Sequence, residues 1–286
     1  MDARLHHWNG TEWVESGEET PLPVANVPIE MAIRLTQELL GCPASIYTIH
    51  GYRRQWSSTS VLGDLAAYLV GGQAKINAPA VATTYYLNST SAQDLTAGSG
   101  VDRVQIYYLD SAGNEQLMAA SLNGTTAVSL GNGFSAIQWM VSYHSVTADR
   151  VAVGAITISS VNGVATESTT MEMIRAGGNR SESFRFTVPT GKKALLIDYH
   201  VSTAKTGAAA TFDTKLRGLS FMYDDAISNA YHFIKVVSMV DGVSFSEDLH
   251  YRKFPAGSVI KLSVIPSAAG DGTIVSGGMD FILKDA

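Results

Sequence analysis

A chain of 286 residues is long enough to bury one large core or two smaller ones. Hydrophobic residues make up 45% and charged residues only 16%, well below the roughly 25% charged share of an ordinary globular protein, so a disordered chain is excluded and uncharged, partner-facing surface is expected. The net charge of −6 argues against general nucleic-acid binding, which needs a basic patch, and the single cysteine, Cys42, rules out an intrachain disulfide.

Residues 1–28 carry Trp8, Trp13, the acidic run Glu15, Glu18 and Glu19, and three prolines, the composition of an extended arm. The segment lacks the apolar centre of a signal peptide. No stretch reaches the roughly 18 uncharged apolar residues of a membrane span, so a soluble chain without a membrane partner is expected, and the single cysteine suits assembly in a reducing cytoplasm. The stretch VPIEMAIRLTQELLG then predicts an amphipathic helix. Pro28 suits its first turn, Gly41 and Pro43 its end, and Ile29, Ile33, Leu39 and Leu40 fall at helical spacing. That stripe needs a surface to bury against, either the body of the chain or a neighbouring subunit. Trp8, Trp13, Ile29, Ile33 and Leu40 are therefore the candidate interface residues. SVLGDLAAYLVGG at 60–72 fits a short helix or a strand. Gly71, Gly72 and Pro79 place a boundary near residue 75, which gives an anchoring or oligomerising segment over 1–75 and a β domain over 76–286.

Beyond that boundary the period is two. Val104, Ile106 and Tyr108 share one face, with Asp102 and Asp110 at either end. Phe184, Phe186 and Val188 form a second row, Leu195, Ile197, Tyr199 and Val201 a third, and Ile260, Leu262 and Val264 a fourth, with Lys261 and Ser263 on the wet side. Turn signals separate these rows at Gly113, Asn123-Gly124, Asn162-Gly163, Pro189-Thr190-Gly191, Asp241-Gly242, Pro255-Ala256-Gly257 and Asp271-Gly272. Short strands without intervening helices predict a mainly β fold, an antiparallel β-sandwich with jelly-roll-like connectivity.

Catalytic patterns are scarce. There is no G-x-S-x-G and no H-E-x-x-H. Thr190-Gly191-Lys192-Lys193 lacks the glycine spacing of a phosphate loop and reads as a turn. Asp198 and His200, two apart on a strand, share a face, but one pair lacks the third ligand of a metal site, so they read as polar residues of an outer face. His6-His7 and Asp224-Asp225 read as arm and solvated turn. Cys42 follows a helix C-terminus, where the dipole opposes a thiolate, and reads as structural. Tyr85, Tyr86, Tyr107, Tyr108, Trp139 and Tyr143 suit either sugar stacking or core packing. No enzyme, metal or cofactor is expected.

STSAQDLTAGSGVDRVQIYYLD (89–110) and the following SAGNEQLMAASLNGTTAVSL (111–130) resemble a pattern of tailed-bacteriophage virion structural proteins. In that pattern a Ser/Thr-rich loop with an Asp runs through Gly-x-Gly into a strand ending in Leu-Asp, and a Leu-Asn-Gly-Thr-Thr turn follows. The matching positions are Ser91, Asp94, Gly98, Gly100, Leu109, Asp110 and 122–128. FTVPTGKKALLIDYHVS (186–202), FPAGSVIKLSV (254–264) and SGGMDFILKD (276–285) are similar to its later strands, with Lys193 and Ala194 departing from the small residue and glycine usual there. The resemblance covers about 80–286. It implies a capsid decoration or cement protein of jelly-roll type, with the major capsid protein as partner and a homotrimer matching local capsid symmetry. The alternative is a tail or fibre component that recognises host carbohydrate. A small, polar, flexible loop at 88–100 fits contact with another subunit at little desolvation cost.

Overall fold

The structure is a computed structural model that describes residues 6–8, 13–15, 44–56, 63–69, 75–205, 211–219, 231–240, 244–266 and 270–286. The expected helix with Ile29, Ile33 and Leu40, Cys42, and the Asp224-Asp225 and Asp241-Gly242 turns lie outside these residues. The chain divides into Met1–Pro43 and Ala44–Ala286. In the first unit, β1 (His6–Trp8) and β2 (Trp13–Glu15) pair antiparallel, with Trp8 opposite Trp13.

The second unit is mainly β, with every strand pairing antiparallel among the described residues. β3 (Ala44–Trp56) and β4 (Gly63–Asp64) belong to it, so part of the segment that composition assigns to the N-terminal arm supplies sheet strands. The chain then leaves to build a separate lobe. Its strands are β5 (Tyr85–Ser89), β6 (Arg103–Leu109), β7 (Glu115–Ser121), β8 (Val128–Gly131), β9 (Ala136–Tyr143), β10 (Ile156–Ser159) and β11 (Thr170–Ile174). It returns through β12 (Arg185–Thr187) and completes the body with β13 (Lys192–Lys205), β14 (Thr211–Leu219), β15 (Tyr231–Val240), β16 (Ser244–Phe254), β17 (Val259–Pro266) and β18 (Gly270–Asp285).

In the body, one sheet runs β16-β13-β18-β3 and the other β12-β17-β14-β15. β4 and β12 lie end to end against β17: Asp64 faces Ser263 and Arg185 faces Lys261. The lobe is thus inserted where a single strand position is interrupted, and its stem is closed by the Ala66–Ser183 bridge. Both body sheets bury side chains in one core, including Ile49, Phe186, Leu196, Leu262 and Phe281. Phe186 and Phe281 rings sit 4.1 Å apart, and Tyr47 stacks on Phe281 at 5.5 Å; such pairs add about 0.5–1.5 kcal/mol each beyond their burial. The lobe layers β11-β10-β5-β8 against β7-β6-β9 over a second core that includes Leu87, Val104, Ile106, Ile137 and Ile158.

Alternation places most rows correctly. Val104 and Ile106, Phe184, Phe186 and Val188, and Ile260, Leu262 and Val264 are all buried. The third row is corrected. A register shift between Leu196 and Asp198 inserts Ile197 as an extra residue, so the core row is Ala194, Leu196, Tyr199 and Val201. A bulge reverses facing parity along its strand, and alternation alone does not reveal it. Lys261 and Ser263 are not on a wet face either. Both are buried on Asp64, Lys261 Nζ at 3.1 Å and Ser263 Oγ at 2.6 Å, because the inserted lobe covers that side of β17. Asp271-Gly272 falls inside β18 beside a register shift instead of at a turn. Within 60–72, the described residues 63–69 form β4 and a turn at Ala67–Tyr68.

Lobe and body are clasped by side chains reaching backbone. Arg185 donates to the carbonyls of Asn77 (2.7 Å) and Ile137 (2.9 Å). Gln138 donates to the Thr187 carbonyl and accepts from the Thr187 amide at 3.0 Å. Replacing Gln138 by alanine removes both bonds and leaves two Thr187 groups without their partner. A loss of about 1–3 kcal/mol is expected in urea unfolding.

Candidate functional site

Asp198 and His200 do share an outer face, and antiparallel pairing brings distant residues to them. Across the sheet, Thr48, Asp280, Asp198 and Asp248 occupy successive partner positions on β3, β18, β13 and β16. The next row is His50, Gly278, His200 and Ser246. The side chains of Thr48, His50, Asp198, His200 and Asp280 point outward because Tyr47, Ile49, Tyr199, Met279 and Phe281, at the alternate positions, fill the body core.

The two exposed imidazoles meet over Gly278, with ring centroids 5.9 Å apart at 57°. Thr48 Oγ1 donates to Asp280 Oδ1. Burial first, then the nearby Arg180 guanidinium and His200, lower the His50 pKa below its ordinary value, while Asp280 and Glu182 oppose the shift. Among the described residues no three His, Cys, Asp or Glu side chains stand together as a ready-made metal site.

Arg180 connects this face to an aromatic one. Its guanidinium donates to the Thr48 carbonyl at 2.6 Å and lies 5.8 Å from the centre of the Trp139 ring. Trp139 stacks on Tyr107 at 4.7 Å, and the two are Cα partners on β9 and β6. With Val104 and Ile106 in the lobe core, the opposite face of β6 and its neighbours carries Gln105, Tyr107, Leu117, Trp139 and Tyr143. Leu117 is 56% exposed and Tyr143 37%. Tyr85 does not belong to this face. It is buried, edge-on to Phe134 at 5.7 Å, and its hydroxyl accepts from the Ala80 amide.

The loop at 88–100 is fixed, not flexible. Asp94 is fully buried and accepts from Ser89 Oγ, from the amides of Val153 and Gly154 at 2.9 Å each, and from that of Val101 at 3.3 Å. A Cβ on Gly100 would strike Asp94 Oδ1, and one on Gly98 the Gln93 carbonyl. The Asp and Gly-x-Gly positions of the sequence pattern therefore make a buried anion nest, in which glycines let the backbone close on a carboxylate. Asp102 does the same for the next loop, accepting from the amide (2.7 Å) and hydroxyl (2.6 Å) of Ser145. The Asp110 carboxyl is held below its usual range, chiefly by the Asn114 amide.

Two features escaped the sequence reading. A cavity of about 340 Å³ separates lobe from body, with Leu109 and Ala136 on one wall and Val188 and Val259 on the other. At the stem, Glu172 is fully buried. Ser183 Oγ (2.6 Å) and the Met173 amide (3.0 Å) donate to the same oxygen. Burial pushes its pKa up to about 7, against these bonds and Arg185. Burial also raises the nearby Tyr68 phenol. Trp8 and Trp13 stand paired in the separate first unit.

No protein-family model matches the sequence, and no curated protein matches it. Solved structures share a weak likeness. The CBM22-1-CBM22-2 tandem of Paenibacillus barcinonensis Xyn10C is 12% identical over 82% of this chain and 93% of that one, with a TM-score of 0.23. The CBM22-1-GH10 modules of Clostridium thermocellum Xyn10B, complexed with xylohexaose, are 12% identical over 71% of this chain, which spans 28% of that chain, with a TM-score of 0.21. The VP2 subviral particle of infectious bursal disease virus is 9% identical over 85% of this chain and 72% of that one, with a TM-score of 0.21. Viral capsid proteins and carbohydrate-binding modules, both β-sandwiches, are thus among the structures that this fold weakly resembles.

Proposed function

We propose that this chain is a non-enzymatic structural component of a bacteriophage virion, a decoration protein that binds and stabilises the lattice of the major capsid protein. The observation that carries the reading is connectivity. Counting β4 and β12 as one interrupted strand, the described residues of the body form eight strands in two sheets. The last strand, β18, lies between the first, β3, and β13, while β17 lies between β4/β12 and β14. That order is a jelly roll, an architecture used by capsid proteins and lectins alike. The inserted lobe adds a second layered pair of sheets, and the virion-like sequence pattern of 89–128 supplies its Asp94 nest. Residues 1–43 would reach the capsid as an arm, with Trp8, Trp13, Ile29, Ile33 and Leu40 as anchors, and repeated weak contacts would sum through avidity. A homotrimer on capsid symmetry axes follows from the same reading.

Deleting residues 1–43 tests the anchor. The 44–286 fragment is expected to fold and to fail to co-sediment with capsids that the full chain decorates. Undiminished co-sedimentation would remove the arm from the account.

The Tyr107–Trp139 stack, with Arg180 over the Trp139 ring and Tyr143 farther along the same face of β9, favours a second reading, a tail or fibre component that binds host carbohydrate. On that reading Trp139→Ala abolishes retention on a glycan array. On the decoration reading the full chain binds no glycan.

A further inference from the structure

Antiparallel pairing puts His50 and His200 on either side of Gly278, two strand spacings apart, or about 9–10 Å between backbones. Their side chains converge over the glycine. His50 Nδ1 and His200 Nε2 each lie 2.8 Å from the point where a Cβ on residue 278 would stand. Any other residue there would fill the space between the two nitrogens. The strand register explains the fit, because glycine at the central position leaves a notch that only the flanking rings overlook.

The surroundings suit a cation. The adjacent row presents Asp280 and Asp198, with Asp248 at the following partner position, and Glu182 acts on His50 from the lobe. Arg180 is the opposing positive charge facing His50. Neutral imidazole is the ligating form.

We propose that His50 and His200 form a two-histidine binding site for a borderline divalent transition-metal ion, Cu2+, Ni2+ or Zn2+, seated over Gly278. Imidazole nitrogen suits these ions, whereas Ca2+ and Mg2+ require oxygen cages. Metal–nitrogen bonds of about 2.0–2.1 Å need only small rotations of two exposed rings. Water fills the remaining coordination positions, and the aspartate row supplies counter-charge from outside the ligand set.

The test titrates Cu2+ into the full chain by calorimetry and follows nitrogen hyperfine coupling by electron paramagnetic resonance. The chain has seven histidines, so a His6→Ala/His7→Ala variant serves as the comparison. Wild type and that variant are expected to bind one copper with two-nitrogen coupling. His50→Ala and His200→Ala, at exposed positions and checked for folding by circular dichroism, should each bind at least tenfold more weakly and lose the two-nitrogen signal. Equal copper binding by His200→Ala, binding lost only in the His6/His7 variant, or no copper bound by the wild type would each overturn the site.

Discussion

Replacing Glu172 by glutamine should stabilise the protein at pH 8 and flatten its stability profile between pH 5 and 8. The carboxyl is fully buried, and its pKa stands at about 7 against an ordinary 4.5. Below pH 4.5 both folded and unfolded forms hold the proton. Between 4.5 and 7 the unfolded chain releases it while the folded chain keeps it, so this group's contribution to stability falls as pH rises and is lost above 7. The gap corresponds to about 3 kcal/mol. Glutamine keeps the acceptor oxygen for Ser183 and Met173 but adds a buried amide that needs its own partner, so a gain of about 1–3 kcal/mol at pH 8 is expected. At about 2–4 °C per kcal/mol for a protein of this size, the thermal midpoint rises by several degrees. Parallel pH profiles for wild type and variant would show that Glu172 ionises without cost and that the stem is wetter than its packing implies.

Asp94→Ala should unravel the inserted lobe. It deprives a hydroxyl and three amides, from Ser89, Val101, Val153 and Gly154, of their acceptor in a site closed to water. Each buried donor left without an acceptor costs about 1–3 kcal/mol, so a loss of several kcal/mol is expected. Because lobe and body have separate cores, the damage should be local. Hydrogen exchange should accelerate over 85–109 and 152–159 while 259–264 stays protected. Gly100→Ala should act in the same direction, since its Cβ would displace the carboxylate. Unchanged exchange in the lobe would mean that the nest is dispensable. Equal acceleration in lobe and body would mean that the two cores unfold as one.

Strand identity was legible because one-sided burial leaves a period of two, as in Val104–Ile106 and Ile260–Leu262–Val264. The inserted lobe was not, because it has the same period and composition as the body. Only the pairing of β4 and β12 end to end on β17 reveals that 76–182 interrupt a single strand position. The bulge at Ile197 escaped for a related reason: one extra residue changes no composition but reverses every later facing. At the candidate site, Asp198 and His200 were visible as a pair. His50 and Asp280 were not, since β18 brings Asp280 there and pairs with β3, which carries His50. The available signal was His50 in step with Thr48 in SIYTIHGY, and Gly278 among apolar neighbours. NSTSAQDLTAGSG read as flexible because its residues are small and polar. Its one carboxylate, ringed by glycines, was the sign that the loop closes on itself.

Cryo-electron microscopy of the assembled phage particle tests the central claim most directly. The decoration account predicts a two-lobed β density repeated at equivalent positions on the capsid lattice, with the 1–43 segment reaching the major capsid protein. Density confined to the tail, or absent from the purified particle, would contradict it.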